Sequence, residues 1–141
     1  MTDAAPRHPG ARLETLDEQA CLDLLAGHPH QLGRIAFQVG ARLVVLPLTY
    51  RLHRGAVVFR TALTSVLDEV RDGDRVAFQV DAVDPTWQEG WSVLIDGLLY
   101  EVTDASEAAE LELLPLRAWA PGERGRLCRI EPLDVTGRRI V

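Results

Sequence analysis

The sequence comprises 141 residues, of which 47% are hydrophobic and 26% charged, and its formal net charge is -6 at pH 7. A chain of this length can bury a hydrophobic core as one domain without a metal or a disulfide. Its acidic balance argues against a nucleic acid or an anionic membrane surface as partner, and no apolar run reaches the roughly 20 residues of a membrane-spanning helix.

All 15 basic residues are arginine, so carbonyl chemistry through a lysine Schiff base is excluded. Cys21 and Cys128 stand far apart without metal-ligand spacing, which favours reduced thiols and a cytoplasmic protein. His28 and His30 flank a proline with no third ligand type at suitable spacing, so we expect no metal site. The sequence has no Ser–His–Asp signature and no glycine-rich phosphate loop, and it assigns no catalytic acid or base.

The N-terminal third begins with a flexible tail and a helix. Residues 1–12 are rich in Ala, Pro, Gly and Arg and predict the tail, while residues 13–141 predict a single domain. Thr15 and Glu18 have the spacing of a helix capping box, and apolar residues recur at helical intervals after them. Gly27 ends this predicted helix.

Three strand-like runs follow, with connections short enough for hairpins. They are Gly33–Val39, Leu43–Tyr50 and Ala56–Arg60. Because none of the connections has room for a crossover helix, we expect an antiparallel meander. The segment Ser65–Arg71 then predicts a short helix, which Gly73 follows.

The second half contains the longest predicted strand. After a strand at Arg75–Val80 and a polar connection over residues 81–90, the run Trp91–Val102 alternates in the manner of a strand. Both of its faces carry apolar residues, so we expect the core on one side and a second subunit on the other.

The C-terminal part predicts one more helix and two strands. The helix spans Asp104–Leu114, with Glu107 at capping distance from Asp104, and the strands are Arg126–Pro132 and Val135–Val141. We expect the carboxylates on helix faces to be solvated. Many strands with short helices at their joints predict a mainly β fold, a small antiparallel barrel.

The segment Phe59–Ser65 places an arginine at a strand end, followed by hydroxyl side chains where a helix begins. A phosphate dianion binds to such parts: a fixed cation, hydroxyl donors and the unpaired N–H groups of a helix N-terminus. The alternative is that Thr64 and Ser65 only cap the helix while Arg60 is a solvated strand end. The candidate phosphate ligands are Arg60, Thr61, Thr64 and Ser65.

Several segments occur in an order and spacing that, taken together, resemble the pyridoxamine 5'-phosphate oxidase-like family of FMN-binding split β-barrel proteins. The resemblance covers about residues 13 to 141. The segments are Gly33–Ala36, Pro47–Tyr50, Val58–Ala62, Val76–Asp81, Gly90–Val93 with Gly97, Pro115 with Trp119–Gly122, and Thr136–Ile140.

This resemblance implies a split β-barrel homodimer that holds FMN at the subunit interface and acts on a small-molecule substrate. The positions that match cofactor-contacting positions of the family are Arg60, Thr61 and Ser65 for the phosphate, Pro47, Leu48, Thr49 and Tyr50 for the strand along the isoalloxazine ring, and Trp91 and Ser92 for the approach from the partner subunit. Thr64 and Val58 are further candidate cofactor-binding residues.

The chain departs from the family pattern beside the phosphate positions. Relatives usually carry glycine and lysine where this chain has Thr64 and Val66. Losing one cation from a desolvated phosphate site costs about 1.5–3 kcal/mol, roughly ten- to a hundredfold in affinity. Either another arginine compensates for this loss, or FMN binding has weakened or given way to a different ligand. The candidate arginines are Arg34, Arg51 and Arg129.

We therefore predict an FMN-dependent oxidoreductase in which the flavin ring carries the hydride. Oxidation of pyridoxamine phosphate itself is not expected, because a chain this short has little room for that substrate's own phosphate. Three alternatives remain. A deazaflavin-dependent reductase would need cations for a long anionic tail, and a haem-handling relative would need a well-placed histidine. The third is a cofactor-free interaction protein, which Val66 motivates.

Overall fold

The computed structural model describes residues 12–61, 66–116 and 125–141. Within these ranges the chain forms eight strands, two α-helices and one 3₁₀ turn. In chain order they are β1 (Leu13–Leu16), α1 (Glu18–Gly27), β2 (Leu32–Val39), β3 (Arg42–Thr49), β4 (Arg51–His53), β5 (Ala56–Thr61), the 3₁₀ turn (Val66–Glu69), β6 (Asp74–Asp84), β7 (Glu89–Glu101), α2 (Ala105–Glu112) and β8 (Arg126–Ile140).

The strands form one antiparallel sheet in the order β3-β2-β6-β7-β8-β5-β4, and β1 also pairs with β8. The two strands at the ends of this order are consecutive in the chain and are separated by Tyr50 alone. The segment from Arg42 to His53 therefore lies at both edges of the sheet, so the sheet curls around to itself. This architecture confirms the predicted mainly β fold, a split β-barrel with short helices at its periphery.

Tyr50 fixes the bend at which the chain passes from one edge of the sheet to the other. Its side chain is 1% exposed, and its ring meets Phe78 edge-on with 5.2 Å between the centroids. Its hydroxyl donates a hydrogen bond to the Leu25 carbonyl oxygen at 2.8 Å, and its backbone N–H donates to the Gln31 carbonyl oxygen at 2.8 Å. Burial raises the pKa of the Tyr50 phenol, which keeps the hydroxyl protonated as a donor.

Alternate residues of the strands fill the barrel interior. In β7, Val93, Ile95 and Leu99 are buried while Leu94 on the other face is 44% exposed, as the predicted alternation requires. A smaller apolar cluster lies between β5 and α2. Its buried members are Val58, Val102, Leu111, Leu116 and Leu127. As a result every residue of β5 is buried, which places this strand between the barrel core and α2.

The predicted start of the first helix was wrong. Thr15 lies in β1, where it pairs with Arg138, and the cap is Asp17, whose carboxylate accepts a hydrogen bond from the Ala20 N–H at 2.8 Å. Aspartate is as good an N-cap as threonine, and pairing with the end of the chain makes residues 13–16 extended. By contrast, the predicted cap of the second helix is confirmed, since Asp104 accepts from the Glu107 N–H at 2.9 Å.

The polar connection predicted over residues 81–90 was also wrong. Strands β6 and β7 continue through it as a hairpin, and their pairing extends to Asp84 opposite Glu89. The Asp84 carboxylate accepts from the Thr86 N–H at 3.0 Å inside the short loop, so polar residues that suggested a long loop instead form a tight turn.

The two strands predicted at the C-terminus are one strand, β8, with a register shift opposite Asp96 and Gly97. Gly97 fits there because a Cβ atom on it would lie 2.5 Å from the Glu131 carbonyl oxygen. The helix predicted at Ser65–Arg71 is the shorter 3₁₀ turn.

At the N-terminus, residues 1–11 of the predicted tail lie outside the described residues. Arg12 pairs with Val141 through two backbone hydrogen bonds of 2.8 and 3.0 Å. Among the described helices, none has the length and apolar character needed to cross a membrane.

We predict that Tyr50→Phe lowers the free energy of unfolding by about 1 kcal/mol, because it removes one buried hydrogen bond while the Leu25 carbonyl oxygen still accepts from the Gln31 side chain. Tyr50→Ala should cost about 3–5 kcal/mol, since it also empties the bend. Urea unfolding followed by far-UV circular dichroism measures both. Equal losses for the two variants would mean that the ring does not stabilise the bend.

Candidate functional site

Arg60 lies near the end of β5 on the strand face that α2 covers. The side chain is only 8% exposed, and its Nη2 atom forms an ion pair of 2.8 Å with Glu112 Oε2. Across the sheet it is paired with Leu127, a member of the smaller apolar cluster. The alternative that Arg60 is a solvated strand end is therefore wrong. Its side chain is buried and contacts a carboxylate that is itself partly exposed.

The neighbouring hydroxyl groups of the predicted phosphate site are only partly described. Thr61 is 5% exposed, points away from the Arg60 face and is paired with Arg126 of β8. Thr64 and Ser65 lie outside the described residues. Arg126, for which no sequence motif provides a signal, adds a cation at this strand end, where it also pairs with Glu101 at 3.7 Å.

The strand predicted to run along a flavin ring divides into two faces. Leu48 and Tyr50 point into the barrel core and are 4% and 1% exposed. Pro47 is exposed and Thr49 half-buried, so these two side chains lie on the outside of the barrel. A ligand lying along this strand would meet Pro47 and Thr49 directly, whereas Leu48 and Tyr50 would offer it only backbone atoms.

Trp91 and Ser92 lie far from Arg60 within one chain. The N–H of Val102, which follows β7, donates to the carbonyl oxygen of Leu127 opposite Arg60. Trp91 lies eleven residues earlier on β7, about 36 Å along an extended strand. The two groups of predicted ligand residues therefore stand at opposite ends of the sheet.

Trp91 lies between two concave surfaces. Its ring meets His28 edge-on at 5.5 Å, and the His28 Nε2 atom is within hydrogen-bonding distance of the Asp81 carbonyl oxygen at 3.2 Å. Trp91 and His28 border one cavity of about 630 Å³. Trp91 and Ser92 border another of about 540 Å³, together with Arg138. This half of the predicted site has room for a flat ligand on one side of the indole.

The three arginines proposed to replace a missing lysine have different surroundings. Arg34 lies at the Trp91 end of the molecule and faces Asp81 at 3.8 Å. Arg51 and Arg129 both lie directly opposite Val58, on the strands either side of β5, and therefore on the same face as Arg60. Within one chain, Arg34 therefore belongs to the Trp91 end of the site and not to the Arg60 end.

Arg129 is engaged in contacts that hold the fold together. It forms ion pairs with Glu107 at 3.2 Å and Glu131 at 3.4 Å, and its guanidinium lies 5.0 Å from the centre of the Tyr100 ring. Arg51 is half-buried and has no ion pair among the described residues. Of the three candidates, Arg51 is the one positioned to contact an anion near Arg60.

The carboxylates of α2 are not simply solvated, as the sequence led us to expect. Three of them pair with basic residues of the strands beneath and of the β4–β5 turn: Glu107 with Arg129, Glu110 with His53 and Arg54, and Glu112 with Arg60. A cavity of about 400 Å³ lies between the helix and the strands. Local sequence carries no signal for these pairs, because each partner is more than 20 residues away.

Within the described ranges, no group of three or more His, Cys, Asp or Glu side chains is arranged to hold a metal ion. Cys21 and Cys128 are both buried free thiols. Burial and the neighbouring carboxylates Asp17 and Glu18 raise the pKa of the Cys21 thiol, which makes it a poor nucleophile.

Comparison with known proteins identifies the family of this chain. A sequence model of the pyridoxamine 5'-phosphate oxidase family matches residues 17–139. The chain belongs to this family. An uncharacterized protein of Mycobacterium tuberculosis is 35% identical over 131 residues, which cover 89% of this chain and 84% of the relative.

Two solved structures are similar over nearly the whole family domain. One is described as an FAD binding protein from Mycobacterium smegmatis; it is 30% identical, covers 89% of this chain and 96% of its own, and has a TM-score of 0.76. The other is a conserved protein of unknown function from Corynebacterium diphtheriae, which is 29% identical, covers 92% and 98% of the two chains, and has a TM-score of 0.75.

We predict that Arg129 and Arg51 differ in what they do for stability. Arg129→Met should lower the free energy of unfolding by about 1–2 kcal/mol, since it removes two ion pairs and the contact with Tyr100. Arg51→Met should change it by less than about 0.5 kcal/mol. Urea unfolding of both variants measures the difference. Equal effects would mean that Arg51 also has a structural role.

Proposed function

We propose that this protein is a flavin-dependent oxidoreductase that binds FMN at the interface of a homodimer and acts on a small-molecule substrate. The observation that carries the proposal is the buried guanidinium of Arg60, 8% exposed at the family position for the flavin phosphate. A buried guanidinium is held in place and oriented by its surroundings, here including Glu112, and family membership suggests a phosphate dianion as the ligand that such a fixed cation would bind.

The cations on the Arg60 face fit a phosphate group. Arg60 would bind it directly, and Thr61, Thr64 and Ser65 follow in the chain with hydroxyl groups. Val66 brings no cation of its own. Arg51 supports the proposal here, since it shares the Arg60 face and forms no ion pair with the other residues that the structure describes. We infer that Arg51 compensates in part for the lysine that relatives carry.

A second copy of the chain would complete the site. Within one chain, Trp91 and Ser92 lie near the start of β7, whereas Arg60 lies beside the residues that follow the end of β7. The length of this strand therefore keeps Trp91 and Ser92 away from a ligand held at Arg60 of the same chain. The outer face of the sheet supports pairing of two copies. Pro47, Arg34, Gln79 and Leu94 lie in one row across four strands, and the exposed Val45 lies in the next row. A two-fold dimer through this face would bury apolar surface. It would also form two sites, each with Arg60 of one copy and Trp91 of the other.

The residues of this chain would bind and orient the cofactor. When bound, a flavin supplies hydride acceptance and donation. Arg60 holds the phosphate end, and the exposed side chains and backbone of residues 47–50 position the ring. Trp91 of the second copy covers the ring and excludes water. We assign none of the described side chains as a proton donor. The cavities that border Trp91 offer the substrate a route to the ring.

The form of the flavin and the location of the protein are further parts of the proposal. The Mycobacterium smegmatis relative is described as binding FAD, which makes FAD the second ligand to test beside FMN. The two buried free thiols support a cytoplasmic location, where cysteines remain reduced.

The first experiment is a visible absorption spectrum after incubation with excess FMN or FAD and desalting. We expect retained flavin, and we expect Val66→Lys to tighten FMN binding by roughly ten- to a hundredfold by restoring a cation beside the phosphate. The control Ala41→Lys adds the same charge in the exposed β2–β3 turn and should leave the affinity unchanged. Equal FMN affinity in wild type and Val66→Lys would place the phosphate elsewhere.

Mixed dimers test the shared site. Arg60→Ala and Trp91→Ala should each abolish FMN retention alone. After the two variants are unfolded together and refolded, random pairing should restore about a quarter of the wild-type sites. Arg60→Ala unfolded and refolded on its own has the same damaged half in every site and should restore none. Failure of the first mixture would mean that one subunit builds the whole site.

A further inference from the structure

We propose that Glu112 acts as an internal anion that competes with the flavin phosphate for Arg60 and thereby sets the affinity of the site. The inference rests on the proposed function. It starts from the ion pair of 2.8 Å between Arg60 Nη2 and Glu112 Oε2, in which the arginine side chain is 8% exposed and the glutamate 43%. The buried cation thus has an acidic partner that belongs to the chain itself.

The negative charge at the C-terminal end of α2 favours a cation beside Glu112. Glu112 is the last residue of the helix, where the backbone carbonyl groups create a partial negative charge. The last turn contains no basic residue, and Glu110 adds a second carboxylate there. The cation of Arg60 therefore offsets an unfavourable local charge at the Glu112 carboxylate.

A phosphate bound at Arg60 would meet the same edge of the guanidinium. Arginine binds phosphate best through two parallel N–H groups, and Glu112 occupies one of them through Nη2. A dianion and a carboxylate at one cation repel each other. Phosphate binding must therefore move Glu112 away or work against its charge.

Glu112 is the partner that can move. Its carboxylate is nearly half exposed, and the helix ends at this residue, with Leu113 86% exposed directly after it. Arg60 lies in a strand buried on both faces and has no comparable freedom. Displacement would rotate the Glu112 side chain into solvent. The Nη2 group of Arg60 would then be available to donate to the phosphate.

The same helix offers a matched control. Glu110 pairs with His53 at 3.1 Å and with Arg54 at 3.0 Å, and neither of these contacts involves Arg60. Replacing Glu110 removes the same charge from the same helix turn without touching the Arg60 pair. A general effect of net charge would therefore appear in both variants, and competition only in one.

The experiment measures dissociation constants by quenching of flavin fluorescence for wild type, Glu112→Gln and Glu110→Gln. FMN and riboflavin, which lacks the phosphate, are the two probes. We expect Glu112→Gln to bind FMN about tenfold more tightly than wild type and riboflavin with unchanged affinity. Glu110→Gln should leave both affinities unchanged. Glu112→Asp, which withdraws the carboxylate by one methylene group, should fall between wild type and Glu112→Gln and serves if the glutamine variant does not fold.

Unchanged or weaker FMN binding by these Glu112 variants, with wild type binding FMN, would overturn the inference and make Glu112 a residue that positions Arg60. Equal tightening in Glu110→Gln would also overturn it, in favour of a general charge effect. If neither wild type nor the Glu112 variants bind FMN, the proposed function fails and the inference fails with it.

Discussion

The bend at Tyr50 is the constraint on which the remaining structure depends. One chain segment forms both edges of the sheet, and it can do so only if the backbone turns sharply between Thr49 and Arg51. The buried phenol of Tyr50 holds that turn through its hydrogen bond to α1 and its contact with Phe78 of β6, and the Tyr50 backbone N–H donates to Gln31 just before β2. Because the turn sets where β4 begins, it also sets where β5 lies, and with it the position of Arg60.

A second constraint is the match of charge between α2 and the strands below it. Arg60 and Arg129 share the face of the sheet on which α2 packs, and the helix meets both with carboxylates. The apolar cluster around Val58 and Leu111 lies beneath these ion pairs. The helix therefore packs through its apolar side, and the ion pairs fix its position over the strands. Arg60, the most buried of the described arginines, lies at the end of this helix.

The sequence was sufficient for the fold class and most strands, because alternation and short turn-forming connections are local signals. It failed where a local pattern had two solutions. Thr15 and Asp17 both suit a helix start, and only pairing with Arg138 decides between them. The carboxylate partners of α2 and the distance between Trp91 and Arg60 depend on contacts remote in sequence. No residue type at those positions predicts these contacts. The sequence therefore identified candidate residues for both halves of the site but not their relative positions.

Strand β8 gives the fold a particular order of assembly. It pairs with β1, β5 and β7, so residues 126–140 contact partners from three earlier parts of the chain, including Leu13 opposite Ile140. Such non-local pairing gives a high contact order, which slows folding because distant segments must meet before they gain stability. During synthesis β1 has no strand to pair with until β8 emerges. The nascent chain must therefore keep the apolar residues of β5 and β7 from associating with other chains until its last strand arrives.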